Sequence, residues 1–448
     1  MRTFNLVGLR RLLLVLLSAV LLSGVGATTA MAAPFPRTFP PNQNQLPDLP
    51  KERDIYRALP IKTPAADRWY EDPSNLDRMK PGQIIRSRVV QTRLLGIPVP
   101  VFSKQLLFRS TDIHGKAIAT ATTIIIPGIP WVGSPRPVIS FQEAIDAADS
   151  SCNPSHTLQT GTFKEIALLQ YWVAQGFAFN IPDFDGKDNT WLTRDEGHMV
   201  LDSLRAMKND RSLNLSQSGI GLYGFSGGAL GSIQAAELRK SYAPDVKIKA
   251  AAFGGAPADF VALSKYAGVR RPGVTGVNSF TMWLGMAGLA KAYPREIDPK
   301  RLLTVEGQRI LANLSGRCVY TAAATGMYRP INEYYAPGSK GINDPAVQQI
   351  LRKNSPGQQV PDIPLLWWNG IWDELIPTEA IVPVVNDYWR RGADLRYYTM
   401  PVPEHIANAV AGWPPAVAWL SAVLRGLNPG PKFKFDYPSP LPPGFPGR

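Results

Sequence analysis

The chain has 448 residues, of which 45% are hydrophobic and 19% are charged, so it is long and apolar enough for one large domain with a substantial insertion. Its formal net charge is +13, but the lysines and arginines are scattered, with no long basic run and no zinc-ligand spacing. This pattern excludes a dedicated nucleic-acid-binding protein. We interpret the charge as a solvated surface that at most favours approach to an anionic envelope or lipid surface.

The first 32 residues have the pattern of a secretory signal peptide. Three arginines precede an eleven-residue apolar run at 12–22, and Ala30-Met31-Ala32 supplies an A-x-A cleavage site. A membrane anchor is the alternative, but a spanning helix needs about 20 apolar residues, and serine, glycine and threonine dilute the run from Ser23 onward. We therefore predict cleavage near Ala32 and a protein that is secreted or held in the cell envelope.

Two Pro-rich, irregular segments flank the remaining chain, an N-terminal arm at 33–67 and a C-terminal tail at 428–448. Between them, short β-branched runs alternate with helical stretches, which predicts βαβ units and a mostly parallel sheet with helices on both faces. The predicted strands lie at 122–126, 138–141, 177–181, 220–223, 248–253, 364–368 and 395–400, and the predicted helices at 163–175, 193–208, 227–240 and 405–424.

One segment, 256–347, has no convincing strand, and its apolar residues, among them Phe280, Trp283 and Leu284, recur at helical spacing. It divides the main domain into 68–255 and 348–427. We predict a helical cap over the site, with Trp283 as a probe of an apolar underside. The alternative is that these residues only pack into the main core, and the two interpretations are compatible.

The sequence at 224–228, Gly-Phe-Ser-Gly-Gly, is a G-x-S-x-G motif. In a chain with 38 glycines the motif alone is modest evidence, but here it joins a predicted strand to a predicted helix, the setting of a nucleophile elbow. We predict Ser226 as a nucleophile and the backbone N–H of Gly227, at the helix N-terminus, as an oxyanion donor. A serine that merely caps the helix is the alternative.

A serine nucleophile needs a base, and the chain has four histidines. In folds with this elbow the order is serine, acid, histidine, and only His405 follows Ser226. The strand predicted at 364–368 leads into a loop with Asp373, which we select as the acid that orients His405, with Glu374 as the alternative. A surface histidine and solvated loop acids are the non-catalytic interpretations.

Cys152 and Cys318 are the two cysteines of the sequence. A secreted chain with an even number of cysteines usually pairs them, so we expect one disulfide. A catalytic thiol is the competing interpretation, but neither cysteine lies in a histidine motif of a known thiol enzyme.

These residues resemble the secretory lipase family typified by Candida antarctica lipase A, a branch of the α/β-hydrolases. The resemblance is strongest at 223–229 (YGFSGGA), at 372–377 (WDELIP) and at Glu404-His405. It extends over roughly residues 68–425, with further similar blocks at 70–92, 204–209, 241–244, 141–142 and 152–155.

The resemblance implies an α/β-hydrolase fold with a helical cap that shapes an acyl tunnel. It also implies that Asp146 belongs to the oxyanion hole together with Gly227, and that Cys152 pairs with a cysteine of the cap, here Cys318. Ala144 and Ile145 differ from the aromatic-acidic pair of the family, which bears on substrate preference more than on chemistry. The family's C-terminal flap is not carried over, because the tail here is short and Pro-rich.

The predicted reaction is hydrolysis of a lipid or acyl ester through an acyl-enzyme, which needs neither a metal nor an organic cofactor. A lipid–water interface or an anionic envelope surface is the expected partner. An acyltransferase or a serine peptidase with the same triad is the enzymatic alternative, and a non-catalytic envelope-binding relative is the alternative from another class. The sequence carries no signal for an oligomeric state.

Overall fold

The computed structural model describes residue 46 and residues 48–133, 135–271 and 273–437, so the predicted signal peptide lies outside the described residues. Within them, twelve strands form a ten-stranded sheet and a separate two-stranded ribbon. In chain order the strands are β1 (Ile84–Val90), β2 (Arg93–Leu94), β3 (Ile97–Pro98), β4 (Val101–Thr111), β5 (Ala117–Pro127), β6 (Val138–Gln142), β7 (Ala178–Pro182), β8 (Ile220–Phe225), β9 (Ile248–Gly254), β10 (Leu365–Gly370), β11 (Leu395–Met400) and β12 (Phe433–Phe435).

The main sheet is mostly parallel, with the strand order β1-β4-β5-β7-β6-β8-β9-β10-β11-β12. The strands from β7 to β12 in this order run parallel to one another. At the other end of the sheet, β5 is antiparallel to β7, β4 to β5, and β1 to β4. All seven predicted strands are present. The sheet also contains β1 and β4, where charged residues such as Arg88 and Lys104 interrupt the apolar pattern, and β12, a three-residue edge strand within the predicted tail.

Helices cover both faces of the sheet, as the alternation of the sequence predicts. All four predicted helices are present, three of them between β6 and β9 and the fourth after β11. In chain order the helices are α1 (Glu52–Arg57), α2 (Pro154–Thr160), α3 (Ile166–Ala174), α4 (Glu196–Asn209), α5 (Gly227–Tyr242), α6 (Phe260–Ala267), α7 (Ser279–Ala292), α8 (Pro299–Leu302), α9 (Val305–Leu314), α10 (Val319–Gly326), α11 (Pro345–Asn354), α12 (Val382–Arg390) and α13 (His405–Leu424).

The core has one large cluster on each face of the sheet. Neighbouring residues of β8 point to opposite faces, with Leu222 in the cluster beneath α4, α5 and the cap and Tyr223 in the cluster beneath α3 and α13. Because β8 is buried on both faces, its sequence is a continuous run without polar alternation. This parallel sheet between two helical layers is the α/β-hydrolase fold that was expected.

Helix α13 is the one helix in the described part of the chain that is long and apolar enough to cross a membrane by length and composition. It also packs on the sheet through Ala416, Val417 and Leu420, which are buried in the core cluster of that face. Its N-terminus is capped by Glu404, whose carboxylate accepts a hydrogen bond from the backbone N–H of Ala407 at 2.8 Å. The cap fixes the first turn of α13, which begins with His405.

Between β9 and β10 the described residues form helices α6 to α11 and no strand of the main sheet. The last of them, α11, continues to Asn354 and so extends beyond residue 347, the predicted end of the cap. Cys318, at the N-cap of α10, is bonded to Cys152, which confirms the predicted disulfide. The bond joins the segment after β6 to this helical region, and the N-terminal arm contacts the same region through Arg317, which donates to the Leu49 carbonyl at 3.0 Å.

Candidate active site

Ser226 lies at the turn between β8 and α5 and has φ 56° and ψ −125°, a strained conformation for a residue with a side chain. Its backbone N–H donates to the Gly254 carbonyl at 3.0 Å, which ties the turn to β9. A Cβ on Gly224 would collide with the Gly228 carbonyl, so the two glycines allow strand and helix to cross at this distance. The turn has the backbone geometry of a nucleophile elbow, with a partly exposed serine at its tip.

The loop after β6 packs directly against the elbow. A Cβ on Gly227 would collide with Oδ1 of Asp146, and a Cβ on Gly228 would collide with the Gln142 carbonyl. Asp146 itself has φ 44°, in the left-handed region that residues with a side chain rarely adopt. The structure therefore brings Asp146 and Gly227, the two residues expected at an oxyanion hole, into contact.

His405 and Asp373 form a hydrogen-bonded pair. Nδ1 of His405 lies 2.9 Å from Oδ1 and 2.8 Å from Oδ2 of Asp373, and both side chains are buried. The Asp373 carboxylate also accepts hydrogen bonds from the backbone N–H of Ile376 at 2.8 Å and from Nδ2 of Asn408 at 3.1 Å. These bonds hold the carboxylate in one orientation and so fix the plane of the imidazole.

The imidazole of His405 lies beside the elbow. Its ring centroid is 4.8 Å from that of Phe225, the residue before Ser226, and a Cβ on Gly255 would lie 3.2 Å from its Cε1 atom. Nε2 is buried and makes no hydrogen bond within the described residues. The ring nitrogen opposite Asp373 is thus available to a reacting group.

Glu374, the alternative acid, binds the same histidine in another way. Its Oε2 atom accepts a hydrogen bond from the backbone N–H of His405 at 2.9 Å and does not contact the ring nitrogens. The sequence analysis selects Asp373 and keeps Glu374 as the alternative because they are neighbours in one loop, and in the structure it is Asp373 that bonds to the ring. Asn408 was not among the predicted residues, although its position three residues after His405 on a helix places it on the same face.

Burial and neighbouring charges shift three pKa values at this site. Burial lowers the pKa of His405, but Asp373, Glu374 and Glu404 raise it more, to about 9. Burial raises the pKa of Asp146 to about 6, although Lys164 and His405 oppose the shift. Burial and the charge of Asp373 raise the pKa of Glu374 to about 7. Titratable groups with such shifts in one location are typical of an active site.

The other three histidines are bonded elsewhere through ring nitrogens: His114 Nε2 lies 2.7 Å from the Ala292 carbonyl, His156 Nδ1 lies 2.7 Å from the Ser151 carbonyl, and His198 Nδ1 lies 3.2 Å from the Thr111 carbonyl. Among the residues that the structure describes, no three or more His, Cys, Asp or Glu side chains are arranged to hold a metal ion.

Comparison with known proteins identifies the family. The model of the secretory lipase family matches residues 152–430. The chain belongs to the secretory lipase family. The chain is 27% identical over 405 residues to Lipase A of Moesziomyces aphidis, and the match covers 85% of the chain and 84% of the relative.

Two further comparisons span most of the chain. The chain is 29% identical over 389 residues to a Mycobacterium tuberculosis protein named a probable inactive lipase, and the match covers 84% of the chain and 86% of that relative. An X-ray structure of Candida antarctica lipase A superimposes with a TM-score of 0.76 at 27% identity, covering 85% of this chain and 90% of that one.

The chain contains a narrow, almost wholly apolar cavity in the cap region. Helices α6, α7 and α11 and the segment between α10 and α11 supply most of its walls, and Leu192 closes one side. Trp283 is not among its lining residues. That side chain is fully buried, and its Nε1 atom donates to the Arg329 carbonyl at 2.7 Å. Met282 and Met286 of the same helix line the cavity instead, so they are better probes of the apolar underside than Trp283.

Proposed function

We propose that this secretory lipase hydrolyses carboxylic esters of lipids through an acyl-enzyme, with Ser226 as nucleophile, His405 as base and Asp373 as the acid that orients it. The observation that carries the proposal is the His405 ring, bonded to Asp373 through Nδ1 and unbonded at a buried Nε2 atom beside the strained elbow of Ser226. This is the arrangement of a charge-stabilised general base next to a nucleophile.

In the proposed reaction, Nε2 of His405 takes the hydroxyl proton of Ser226 as its Oγ atom bonds to the ester carbonyl carbon. The imidazolium, stabilised by Asp373, then gives that proton to the leaving alcohol as the ester C–O bond breaks. A water molecule repeats the attack on the acyl-enzyme, again losing its proton to His405. The carboxylic acid leaves, and Ser226 recovers its proton.

Negative charge develops on the carbonyl oxygen in both steps. The backbone N–H of Gly227 belongs to the first turn of α5, where it has no partner in its own helix, and the helix dipole favours an anion. The contact of Asp146 with Gly227 makes Asp146 the candidate for the second donor. We assign the oxyanion hole to these two residues.

Lipid esters are the proposed substrates because the cap region holds an apolar cavity and because relatives of this chain are named lipases. Methionine, leucine and phenylalanine side chains, which line this cavity, are the kind that contact an acyl chain. The leader sequence, the disulfide and the family together support a secreted or envelope location. A lipid–water interface or an anionic envelope surface remains the proposed partner.

Because one relative is named a probable inactive lipase, family membership alone does not establish turnover. A non-catalytic envelope-binding protein has no need of a buried Asp–His pair beside a strained serine, and the structure retains both. An acyltransferase would share every step up to the acyl-enzyme and differ in the acceptor. A serine peptidase would need a site for a peptide terminus, for which the sequence carries no signal.

One experiment separates these functions. The protein is labelled with a fluorophosphonate and assayed on p-nitrophenyl esters of increasing acyl length, on a peptide amide, and on an ester with added alcohol acceptor. The proposal expects labelling at Ser226 and release of free fatty acid. Absent labelling would favour the binding protein, and product ester in place of acid would favour the transferase.

A further inference from the structure

Three charged side chains, one buried and two half-buried, hold the loop that carries Asp146. Two of them, Lys164 and Glu165, precede α3, and the third, Glu143, follows β6 directly. None of them is a member of the proposed triad or oxyanion hole. Their contacts with the loop are specific and reciprocal.

The two segments exchange hydrogen bonds in opposite directions. Oε1 of Glu165 accepts the backbone N–H of Ala144 at 3.0 Å, and Oε1 of Glu143 accepts the backbone N–H of Lys164 at 3.1 Å. The ammonium nitrogen of Lys164 also lies 3.1 Å from the same Glu143 oxygen. Glu143 is 1% exposed, so these charge-assisted bonds lie in a low-dielectric environment where they are strong.

The opposite side of the loop packs against the elbow. A Cβ on Gly228 would meet both the Gln142 carbonyl and, at 3.1 Å, the backbone nitrogen of Ala144. The backbone nitrogen of Ala144, which donates to Glu165, therefore also lies next to the first turn of α5. Two residues further on, Asp146 adopts φ 44°, a conformation that costs free energy and persists only where the surroundings enforce it.

We propose that Glu165 is a positioning residue of the hydrolase: its carboxyl oxygen holds the backbone of residues 144–146 against the elbow so that the Asp146 amide meets the oxyanion, and Lys164 with Glu143 fixes Glu165 from the other side. The inference rests on the proposed function. Glu165 acts through the loop and does not touch the substrate.

The charges around Glu165 give this role a signature that depends on pH. Three carboxyl groups, Glu143, Asp146 and Glu165, share one ammonium, that of Lys164, and the phenol groups of Tyr223 and Tyr320 also interact electrostatically with Glu165. Burial raises the pKa of Glu165 to about 8, with Lys164 opposing and Glu143 supporting the shift. Above that pH an extra negative charge forms beside the proposed oxyanion hole and opposes the developing oxyanion.

The test compares Glu165→Ala and Glu165→Gln with Glu237→Gln, a matched change at a buried glutamate of α5 that pairs with Arg194 at 2.6 Å. kcat and KM on p-nitrophenyl butyrate are measured from pH 6 to 10. Titration of Ser226 with a fluorophosphonate gives the concentration of active sites used to calculate kcat, and Tm is measured for each variant. Glutamine retains the acceptor for the Ala144 N–H but does not ionise, whereas alanine removes the acceptor.

Glu165→Ala is expected to lower kcat about 10- to 100-fold, the scale of a misplaced catalytic group, with KM changed by less than about twofold. Glu165→Gln is expected to keep most activity at neutral pH, and its kcat relative to wild type should rise above pH ~8 because no charge forms. Glu237→Gln should lower Tm and leave kcat and the pH profile unchanged.

A Glu165→Ala enzyme with wild-type kcat per titrated site would overturn the inference, as would an equal loss in Glu237→Gln. If Glu165→Ala does not fold, a flat activity ratio for Glu165→Gln across the pH range overturns it. Failure of the proposed function has a different signature, since Ser226 would then not be titrated at all.

Discussion

The Asp373 carboxylate faces Nδ1 of His405 with both oxygens, at 2.9 and 2.8 Å. Such a contact fixes which ring nitrogen carries the proton and directs Nε2 away from the acid. The same carboxylate is held by backbone N–H groups of its own loop and by Asn408. The orientation of the base is therefore built into the fold before any substrate binds.

Replacing this acid tests its assignment against its neighbour. Asp373→Asn should lower kcat about 10⁴-fold, because the amide no longer stabilises the imidazolium and favours the wrong tautomer. Glu374→Gln should cost far less, since Glu374 contacts only the backbone of His405. Steady-state kinetics on p-nitrophenyl butyrate give both values. The reverse ranking would move the role of acid to Glu374.

The pH dependence of kcat/KM follows from the raised pKa of His405. A protonated imidazole cannot accept the Ser226 proton, so activity should rise with pH and reach half its maximum near pH 9. Glu374 is one of the charges that raise this pKa, so Glu374→Gln should move the curve to lower pH. The exposed Glu379→Gln serves as the control. A wild-type profile that is flat between pH 7 and 10 would contradict the raised pKa of His405.

Much of the site could be predicted from the sequence, because its residues lie where strands end. A parallel sheet brings the carboxyl ends of β6, β8, β10 and β11 to one edge, so loops that are distant in sequence converge there. The order of Ser226, Asp373 and His405 then identified the pair that the structure shows in contact. The disulfide followed from the count of two cysteines and from family resemblance.

Other features depend on contacts that no local pattern encodes. Glu165 falls within the helix predicted at 163–175, and nothing in that pattern indicates its bond to the Ala144 N–H, which forms because α3 begins beside the end of β6. Trp283 fits an apolar helical stripe as well as Met286 does, but the turn of α7 directs it into the core and not into the cavity. Strands β1 and β4 mix charged and apolar residues because they form the antiparallel end of the sheet.

The cap cavity should control the acyl length of the substrate. Met286→Trp fills the cavity with an indole ring, so kcat/KM on a palmitate ester should fall at least about 10- to 200-fold, the range for one methylene group in a hydrophobic pocket, while the acetate ester is little affected. Met327→Trp, at a partly buried residue outside the cavity lining, is the matched control. Equal losses on both esters in Met286→Trp would mean that the cavity does not bind the acyl chain.

Removing the disulfide should destabilise the protein without altering the reaction. The bond joins residues separated by 166 positions, so chain-entropy reasoning gives a loss of about 2–5 kcal/mol in the free energy of unfolding for the double variant Cys152→Ser, Cys318→Ser. Urea unfolding followed by tryptophan fluorescence measures this loss, with kcat per titrated Ser226 as the functional readout. An unchanged unfolding midpoint would show that the bond does not stabilise the fold.

The most direct test of the central claim is Ser226→Ala, assayed for ester hydrolysis and for fluorophosphonate labelling beside the wild type. The account predicts a folded variant with wild-type circular dichroism, no labelling, and a kcat lowered by at least about a thousandfold. A folded Ser226→Ala protein that keeps a tenth of the wild-type activity, or that still becomes labelled, would contradict it.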